Sequence, residues 1–308
     1  YNAALYVEKA ITSALQQPEV LEVLVVNDGS TDGSDEILQL IASTTTRVTL
    51  LYHPQRINKG RSASSNLGLQ HAKGAYIAFL DADDYYLPNR FVNDFKIFNS
   101  QPDCDGVYNA IGAHFYRDTT AQQRAELALY TVTETIAPPD LFQNLLLGGK
   151  GHFSIDGLTI KGECIKKAGL FNEQLAVGED TDFIWRLALA IKLYSGSLTA
   201  PVTNRGVHDA NVFDNKIMYQ HNSLHILQSV FKWSARDGIP NHTIDLILKQ
   251  IWILKQKQNN TLLQDIHYWF TLFFSRRTLF FNILSIKYFP IIRYRQMLFP
   301  FLYSKKSV

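Results

Sequence analysis

Up to about residue 211, short β-branched apolar runs alternate with amphipathic stretches, and beyond it the pattern turns to long helices with little strand content. Leu5, Tyr6, Ala10, Ala14 and Leu15 share one side of a helix expected over Asn2 to Gln17. Leu21 to Val26 is an apolar run that stops at Asn27-Asp28-Gly29-Ser30-Thr31-Asp32, so a strand is expected to end in a turn and lead to a helix from about Ser34 to Ile41. Val48 to Tyr52 and Ala75 to Leu80 repeat the strand signal, with a small-residue helix, Gly60 to Ala72, between them. Gly106 to Tyr116 reads as a further strand, and Asp140 to Leu147 as a short helix ending in Gly148-Gly149-Lys150-Gly151. After Glu179-Asp180-Thr181-Asp182, the residues Phe183, Leu187 and Ala190 mark one face of another helix. Strands alternating with helices predict an α/β fold with a mostly parallel sheet. The change of pattern divides the chain into a domain over 1–211 and a helical appendage over 212–308.

Composition narrows the class without naming a partner. Of 308 residues, 46% are apolar and 19% charged, and the formal charge is only +2. This is the profile of a soluble globular protein, and nothing in it calls for nucleic acid. Cys104 and Cys164 are far apart and form no C-x-x-C spacing, so buried thiols in a reducing compartment are expected, and with them a cytoplasmic location. No apolar run reaches the length of roughly 18 residues that a membrane span requires. The chain opens directly into a helix pattern, and a strand is expected before Tyr1.

The chemistry is concentrated at strand ends. Asp81-Ala82-Asp83-Asp84 closes the third strand, and Pro88 stands where a new helix would begin. In an open parallel sheet, ligands bind beyond the carboxyl ends of the strands, where helix amino termini point partial positive charge at them. Carboxylates this close repel one another unless a divalent cation or hydrogen-bond donors offset the charge. A hard cation bridging a diphosphate fits; a lone Asp-x-Asp, by contrast, is ordinarily a turn or helix cap. Asp28-Gly29-Ser30-Thr31-Asp32 one β-α unit earlier, with Asn58-Lys59-Gly60 between, makes three loops on one sheet edge, and three such loops form a pocket.

The ordered set Tyr1-Asn2, Val26 to Asp32, Asn58-Lys59-Gly60 with Asn66-Leu67-Gly68, Phe79 to Asp84 and Gly178-Glu179-Asp180 resembles the family 2 glycosyltransferases and their GT-A fold, over roughly residues 1 to 211. The resemblance implies an inverting transferase that takes a sugar from a nucleotide-diphosphate donor, expected to be a UDP-sugar, with Mn2+ or Mg2+ as cofactor. By position, Tyr1 would stack on the base, Asp28 would accept a hydrogen bond from it, and Asn58 and Gly60 would line the same pocket. Asp81 would contact the ribose or metal, and Asp83 would ligate the cation. Asp180, beside Glu179, matches the catalytic base that deprotonates the acceptor hydroxyl. Arg205 and His208, in Arg205 to Asn211, resemble a loop near the diphosphate and metal, with His208 as a further ligand. Read without the resemblance, Glu179 and Asp180 are acids in a first helical turn and Asp182 pairs with Arg186. Ser65 departs from the family pattern, which often has arginine there, and Arg61 is the candidate to replace it.

In the appendage, Arg276, Arg277, Lys287, Arg293, Arg295, Lys305 and Lys306 are interleaved with Phe280, Phe281, Tyr288, Phe289, Tyr294, Phe299, Phe301 and Tyr303. Positive charge with aromatics suits an anionic membrane surface at its cytoplasmic face and, with it, a glycan or lipid-linked acceptor in surface polysaccharide or glycolipid synthesis. The equal alternative is aromatics packed inside a helical appendage under a solvated basic face. Two other functions stand against the transferase. A sugar-phosphate nucleotidyltransferase would carry a glycine-rich loop where Tyr1-Asn2-Ala3-Ala4 stands, and a noncatalytic nucleotide-sugar-binding module would not need Asp81, Asp83 and Asp180 together.

Overall fold

The computed structural model describes residues 1–211, 216–235, 238–258, 260–274 and 277–293, without the side chains of residues 216, 277 and 293. It divides into two compact units, Tyr1–Tyr219 and Gln220–Val308, with the division inside a helix.

The first unit is α/β. Helix α1 (Val7–Leu15) buries Val7, Ala10, Ile11 and Ala14; of the expected side Ala10 and Ala14 are buried, whereas Leu5 lies before the helix and is exposed, so the buried face is turned towards Val7 and Ile11. Strand β1 (Val23–Asn27) pairs in parallel with β2 (Val48–Tyr52) across α2 (Ser34–Thr44), in register from Val23 opposite Val48 to Asn27 opposite Tyr52. Val7, Ile11, Leu38 and Val48 form the core between them. Helix α3 (Arg61–His71) then leads to β3 (Tyr76–Ala78), the acid loop and the short β4 (Tyr85–Tyr86).

The expected strand over Gly106 to Tyr116 is two strands, β5 (Gly106–Tyr108) and β6 (Ile111–Phe115), reached through α4 (Val92–Ser100). The chain breaks at Asn109 because its carboxamide is held sideways: it donates to Asp94 (2.9 Å) and to the Gly157 carbonyl (3.0 Å) and accepts from the Ser197 amide (2.8 Å). Helices α5 (Ala121–Leu127) and α6 (Pro138–Leu147) follow, the latter ending at Gly148 with φ +70°. Then come β7 (Leu158–Lys161), α7 (Ile165–Ala168), α8 (Glu179–Ala190), β8 (Leu193–Ser195) and β9 (Thr203–Val207).

The α/β class is as expected, and the sheets are mixed. One has the order β3-β7-β5-β8, with β7 antiparallel to both neighbours and β5·β8 parallel. Another has the order β4-β9-β6, with β6·β9 parallel. Gly206 of β9 lies against the Asp83 backbone carbonyl so closely that a Cβ would collide with it. This close approach seats the last strand against the acid loop.

The second unit is helical: the rest of α9 (Lys216–Ser234), α10 (Asn241–Gln256), α11 (Leu262–Phe274) and three short helices, Arg277–Phe280, Ile283–Lys287 and Pro290–Arg293. Phe231, Ile247, Ile251, Trp252 and Phe273 are buried in it. Trp269 gathers Phe273, Phe280 and Phe289 around its ring, and Tyr288 is buried. Lys287 is paired with Asp245 at 2.7 Å. Phe281 is exposed. The appendage residues Arg276, Tyr294, Arg295, Phe299, Phe301, Tyr303, Lys305 and Lys306 lie outside the described residues, as do the side chains of Arg277 and Arg293. Among the described residues, no helix is long and apolar enough to cross a membrane.

One polar knot locks the first unit together. Arg90 and Asp94 are fully buried and paired at 2.8 Å, and the same Asp94 carboxylate accepts from Thr159 (2.6 Å) and Asn109. Removing one member of a buried pair strands the other charge, at a cost of about 3–5 kcal/mol. Asp94→Ala is therefore expected to lower unfolding stability by about that amount, read as a reduced urea midpoint at unchanged slope. An unchanged midpoint would show that the knot contributes no net stability.

Candidate active site at the strand ends

Two loops that the sequence places at one edge are tied by Asp28. Its buried carboxylate accepts the backbone amides of Lys59 (2.7 Å) and Gly60 (2.9 Å), with His53 Nε2 3.6 Å away. Gly29 sits at φ +71° beneath this tie, where a Cβ would come within 2.7 Å of the Arg56 carbonyl and 2.9 Å of the Asn58 amide, so only glycine fits. Asp28 thus already accepts one hydrogen bond on each oxygen, and each keeps capacity for one more. Asn58 is exposed beside it, and Gly60, at φ +87°, opens α3.

The first residues are bound to the same edge. Asn2 donates its amide to Ser30 (3.0 Å) and accepts from Thr31 (2.8 Å), while the Ala4 amide donates to Asp32 (3.0 Å). Tyr1 immediately precedes that anchor and is 59% exposed.

The acid loop divides into two directions. Asp81 and Asp84 face Asp156, and each of the three carboxylates places an oxygen within 4.8 Å of the others. The Asp81 amide donates to Asp156 (2.8 Å), and Asp84 accepts the Gly206 amide (2.9 Å). The charge of Asp156, then desolvation and Asp83, push the Asp81 carboxyl well above the usual range. Asp81 is solvent-accessible yet closely surrounded, as a group on the floor of a cleft would be. Desolvation first, and neighbouring acids after it, raise Asp84 well above its ordinary value. Desolvation raises Asp156 too, against hydrogen bonds from the Asp81 amide and Ser154. Burial alone would lower the Arg205 pKa, but Asp84, Asp156 and Asp81 hold it raised, and its guanidinium lies 5.1 Å from the centre of the Tyr130 ring. Arg205 is thus one counter-charge of the cluster, acting on Asp156, and Arg61 is another, acting on Asp81.

Asp83 turns the other way. Its Oδ2 is 2.9 Å from His208 Nε2 and 3.4 Å from the Asn211 carboxamide, which also donates to the Gly206 carbonyl at 3.1 Å. The two residues expected to share a cation are therefore in contact. His208 Nδ1 accepts the Ala210 amide (3.2 Å), so the hydrogen-bond pattern assigns the proton to Nε2, which donates to Asp83. A carboxylate oxygen and an imidazole nitrogen are a donor set that fits Mn2+ better than Mg2+. Ligation through Nε2 requires that nitrogen to give up its proton.

At the amino end of α8, three acids have separate partners. Glu179 is buried and paired with Arg61 at 3.0 Å; desolvation raises its pKa against that pairing. Asp182 is buried and pairs with Arg186 at 2.7 Å, the i, i+4 pairing expected from the sequence. Among the described residues, the hydrogen bonds to Asp180 come from its neighbour Thr181, through the amide (2.6 Å) and the hydroxyl (3.4 Å). Asp180 contributes to the raised pKa of Asp81 and, after desolvation, to those of Tyr130 and Tyr219. The pKa of Arg61 is raised by Glu179, Asp81 and Asp180 against the effect of burial.

Asp156, Asn211 and Tyr130 were not legible as site residues. Asp156 lies in Ser154-Ile155-Asp156-Gly157, a turn before an apolar run, and that setting looks like any capped turn.

Residues 1–159 match the sequence model of glycosyl transferase family 2. Over 86 residues, 28% of this chain and 34% of the relative, the sequence is 43% identical to an uncharacterized glycosyltransferase from Haemophilus influenzae. Over 90 residues, 29% of this chain and 9% of the relative, it is 41% identical to chondroitin synthase from Pasteurella multocida. The chain thus spans about a third and about a tenth of the length of these two relatives. In fold it is similar to S. aureus TarS in complex with UDP-GlcNAc, with a TM-score of 0.61, 16% identity, and coverage of 96% of this chain and 90% of that one. With the family model matching more than half of its length, the chain belongs to glycosyl transferase family 2.

Proposed function

We propose that this chain is an inverting glycosyltransferase that moves a sugar from a UDP-sugar to the hydroxyl of a glycan or lipid-linked acceptor in surface polysaccharide or glycolipid synthesis. The observation that carries the reading is the contact of Asp83 with His208 at 2.9 Å, next in the loop to the Asp81, Asp84 and Asp156 cluster. Transfer with inversion needs a leaving-diphosphate site and a base on opposite sides of one anomeric carbon. In this reading Tyr1 stacks on the uracil, and the loops tied by Asp28 at Asn58 and Gly60 frame the nucleoside. Asp83 and His208 would hold Mn2+ or Mg2+, which when bound supplies positive charge beside the diphosphate. Arg205 adds a fixed cation on the same side.

Asp180 accepts the proton of the acceptor hydroxyl as its oxygen bonds to the anomeric carbon. The bond from that carbon to the diphosphate oxygen breaks, and its electron pair leaves with UDP. Arg61 is engaged by Glu179 at 3.0 Å, so its close ion pair is with that acid and not with the base. The name of the chondroitin synthase relative supports a growing glycan as acceptor. Exposed Phe274, Phe281, Ile283 and Ile286 on the second unit support contact with a membrane surface, taken to be its cytoplasmic face.

Three outcomes test this reading. In calorimetry, UDP is expected to bind with Mn2+ and to lose affinity with excess chelator. Asp83→Asn should weaken the metal-dependent part by at least about tenfold, and Asp180→Asn should leave UDP binding intact while lowering UDP release from UDP-sugars with acceptor by about 10²–10⁴-fold. An Asp180→Asn protein of normal turnover would refute the base, and absence of metal-dependent binding would favour a noncatalytic module or a different nucleotide. The second outcome concerns pH. Raised carboxyl pKa values mean that the folded state holds protons more tightly than the unfolded state, so this repulsion costs stability as pH rises through the raised values and costs nothing in acid below the ordinary carboxylate pKa. Asp156→Asn is therefore expected to raise the Tm of the metal-free protein at pH 7, with the gain shrinking towards pH 4; a gain independent of pH would argue against charge as its cause. Third, the protein should sediment with vesicles containing anionic lipid at low salt and be released by high salt; staying in the supernatant at low salt would remove the membrane reading.

A further inference from the structure

We propose that Tyr6 is a positioning residue for the cation and diphosphate site, holding the His208 imidazole in the plane from which Nε2 meets Asp83. The proposal rests on the reading above for what the pair binds, but the geometry of the clamp is independent of it.

His208 stands in the loop after β9; its Nδ1 accepts the Ala210 amide, and its Nε2 meets Asp83 at 2.9 Å and the Asn211 carboxamide nitrogen at 3.4 Å. Contacts at the two ring nitrogens fix which atoms point where, yet they resist tilting of the ring only weakly. The missing constraint comes from the other end of the unit's sequence. The Tyr6 ring stacks flat on the imidazole, 4.8 Å between centroids and 12° between planes.

Tyr6 is itself held from two sides. Its amide donates to the Ala3 carbonyl (2.9 Å), and the preceding residues are bound to the loop at 30–34, so the backbone under the ring is anchored. Its other neighbour is Tyr116, 4.8 Å away and tilted by 54°. Tyr116 in turn accepts from Lys9 Nζ at 3.3 Å and meets His114 edge-on at 4.5 Å. Burial raises the Tyr6 phenol pKa and the Asp83 charge adds to it, which agrees with a ring lying beside that acid. The contact that matters is a flat apolar face, so the hydroxyl is dispensable and the ring is not.

The test reads the imidazole directly. In protein with ¹⁵N-labelled histidine, without metal or nucleotide, the His208 ring signals are assigned by their loss in His208→Gln and are expected to show the Nε2-protonated tautomer. Tyr6→Phe should keep that signature, whereas Tyr6→Ala and Tyr6→Leu should shift it to a mixture of tautomers, as a purely space-filling role would not once leucine restores the bulk. The same variants should lose about tenfold in Mn2+-dependent UDP affinity with UDP affinity in chelator unchanged, the scale usual for residues behind a metal ligand. Tyr6→Ala combined with His208→Gln should lose no more than His208→Gln alone. A folded Tyr6→Leu protein with the wild-type tautomer signature, or losses that add in the double variant, would overturn the proposal. Should the wild-type protein show no metal-dependent UDP binding, the functional reading fails, and the tautomer signature alone still decides whether Tyr6 positions His208.

Discussion

Like charges crowded at a strand end are the constraint around which the first unit is arranged. Asp81, Asp84 and Asp156 have oxygens within 4.8 Å of one another, and Asp83 lies next in sequence. Such a cluster is tolerable only where donors and a counter-charge are built around it. The donors are backbone amides: Gly206 to Asp84 and Asp81 to Asp156. Counter-charge comes from Arg205, on the same strand that supplies Gly206, and from Arg61 beside Asp81. The glycine at 206 is required because β9 must lie directly on the Asp83 carbonyl for these contacts to form. Residual repulsion, visible in the raised carboxyl pKa values, is what makes the cluster a place where added positive charge is favourable.

Around that cluster the loops are fixed by carboxylates that serve as ties. Asp28 joins the loop after β1 to the start of α3, and Asp32 joins the first residues to the start of α2. These ties use main-chain amides as donors, so the pocket edges do not depend on long side chains finding one rotamer. The apolar core sets the strands side by side, and the amide ties then place the loops at their ends.

The elements were legible where periodicity was strong. The β1-α2-β2-α3 succession follows from apolar spacing, and β2 occupies the expected Val48 to Tyr52. Strand direction was not legible: Leu158 to Lys161 is a short run buried on both faces, and a short buried strand does not show whether it pairs parallel or antiparallel. The break at Asn109 was hidden for a related reason, since its cause is a hydrogen bond to Asp94, fifteen residues earlier in the chain. In the site, the contact of Asp83 with His208 spans 125 positions and no spacing rule reaches that far; only the resemblance pointed to it. Asp156 carried no signal of its own, because a single acid in a capped turn is common.

The run Glu179-Asp180-Thr181-Asp182 shows how structure sorts residues that sequence leaves equivalent. Three acids in one helical turn all gain from the helix dipole, and that general effect cannot choose a base among them. Partners do. Glu179 and Asp182 are buried, and each is matched to an arginine, Arg61 and Arg186. A carboxylate in a close ion pair is a poor proton acceptor, because the arginine stabilises the charged form that proton transfer would remove. Asp180 is half-buried and is held by its neighbour Thr181, an arrangement that fixes one oxygen without neutralising the charge. Of the three acids, it is the one held by a neighbouring amide and hydroxyl while the other two are held by arginines.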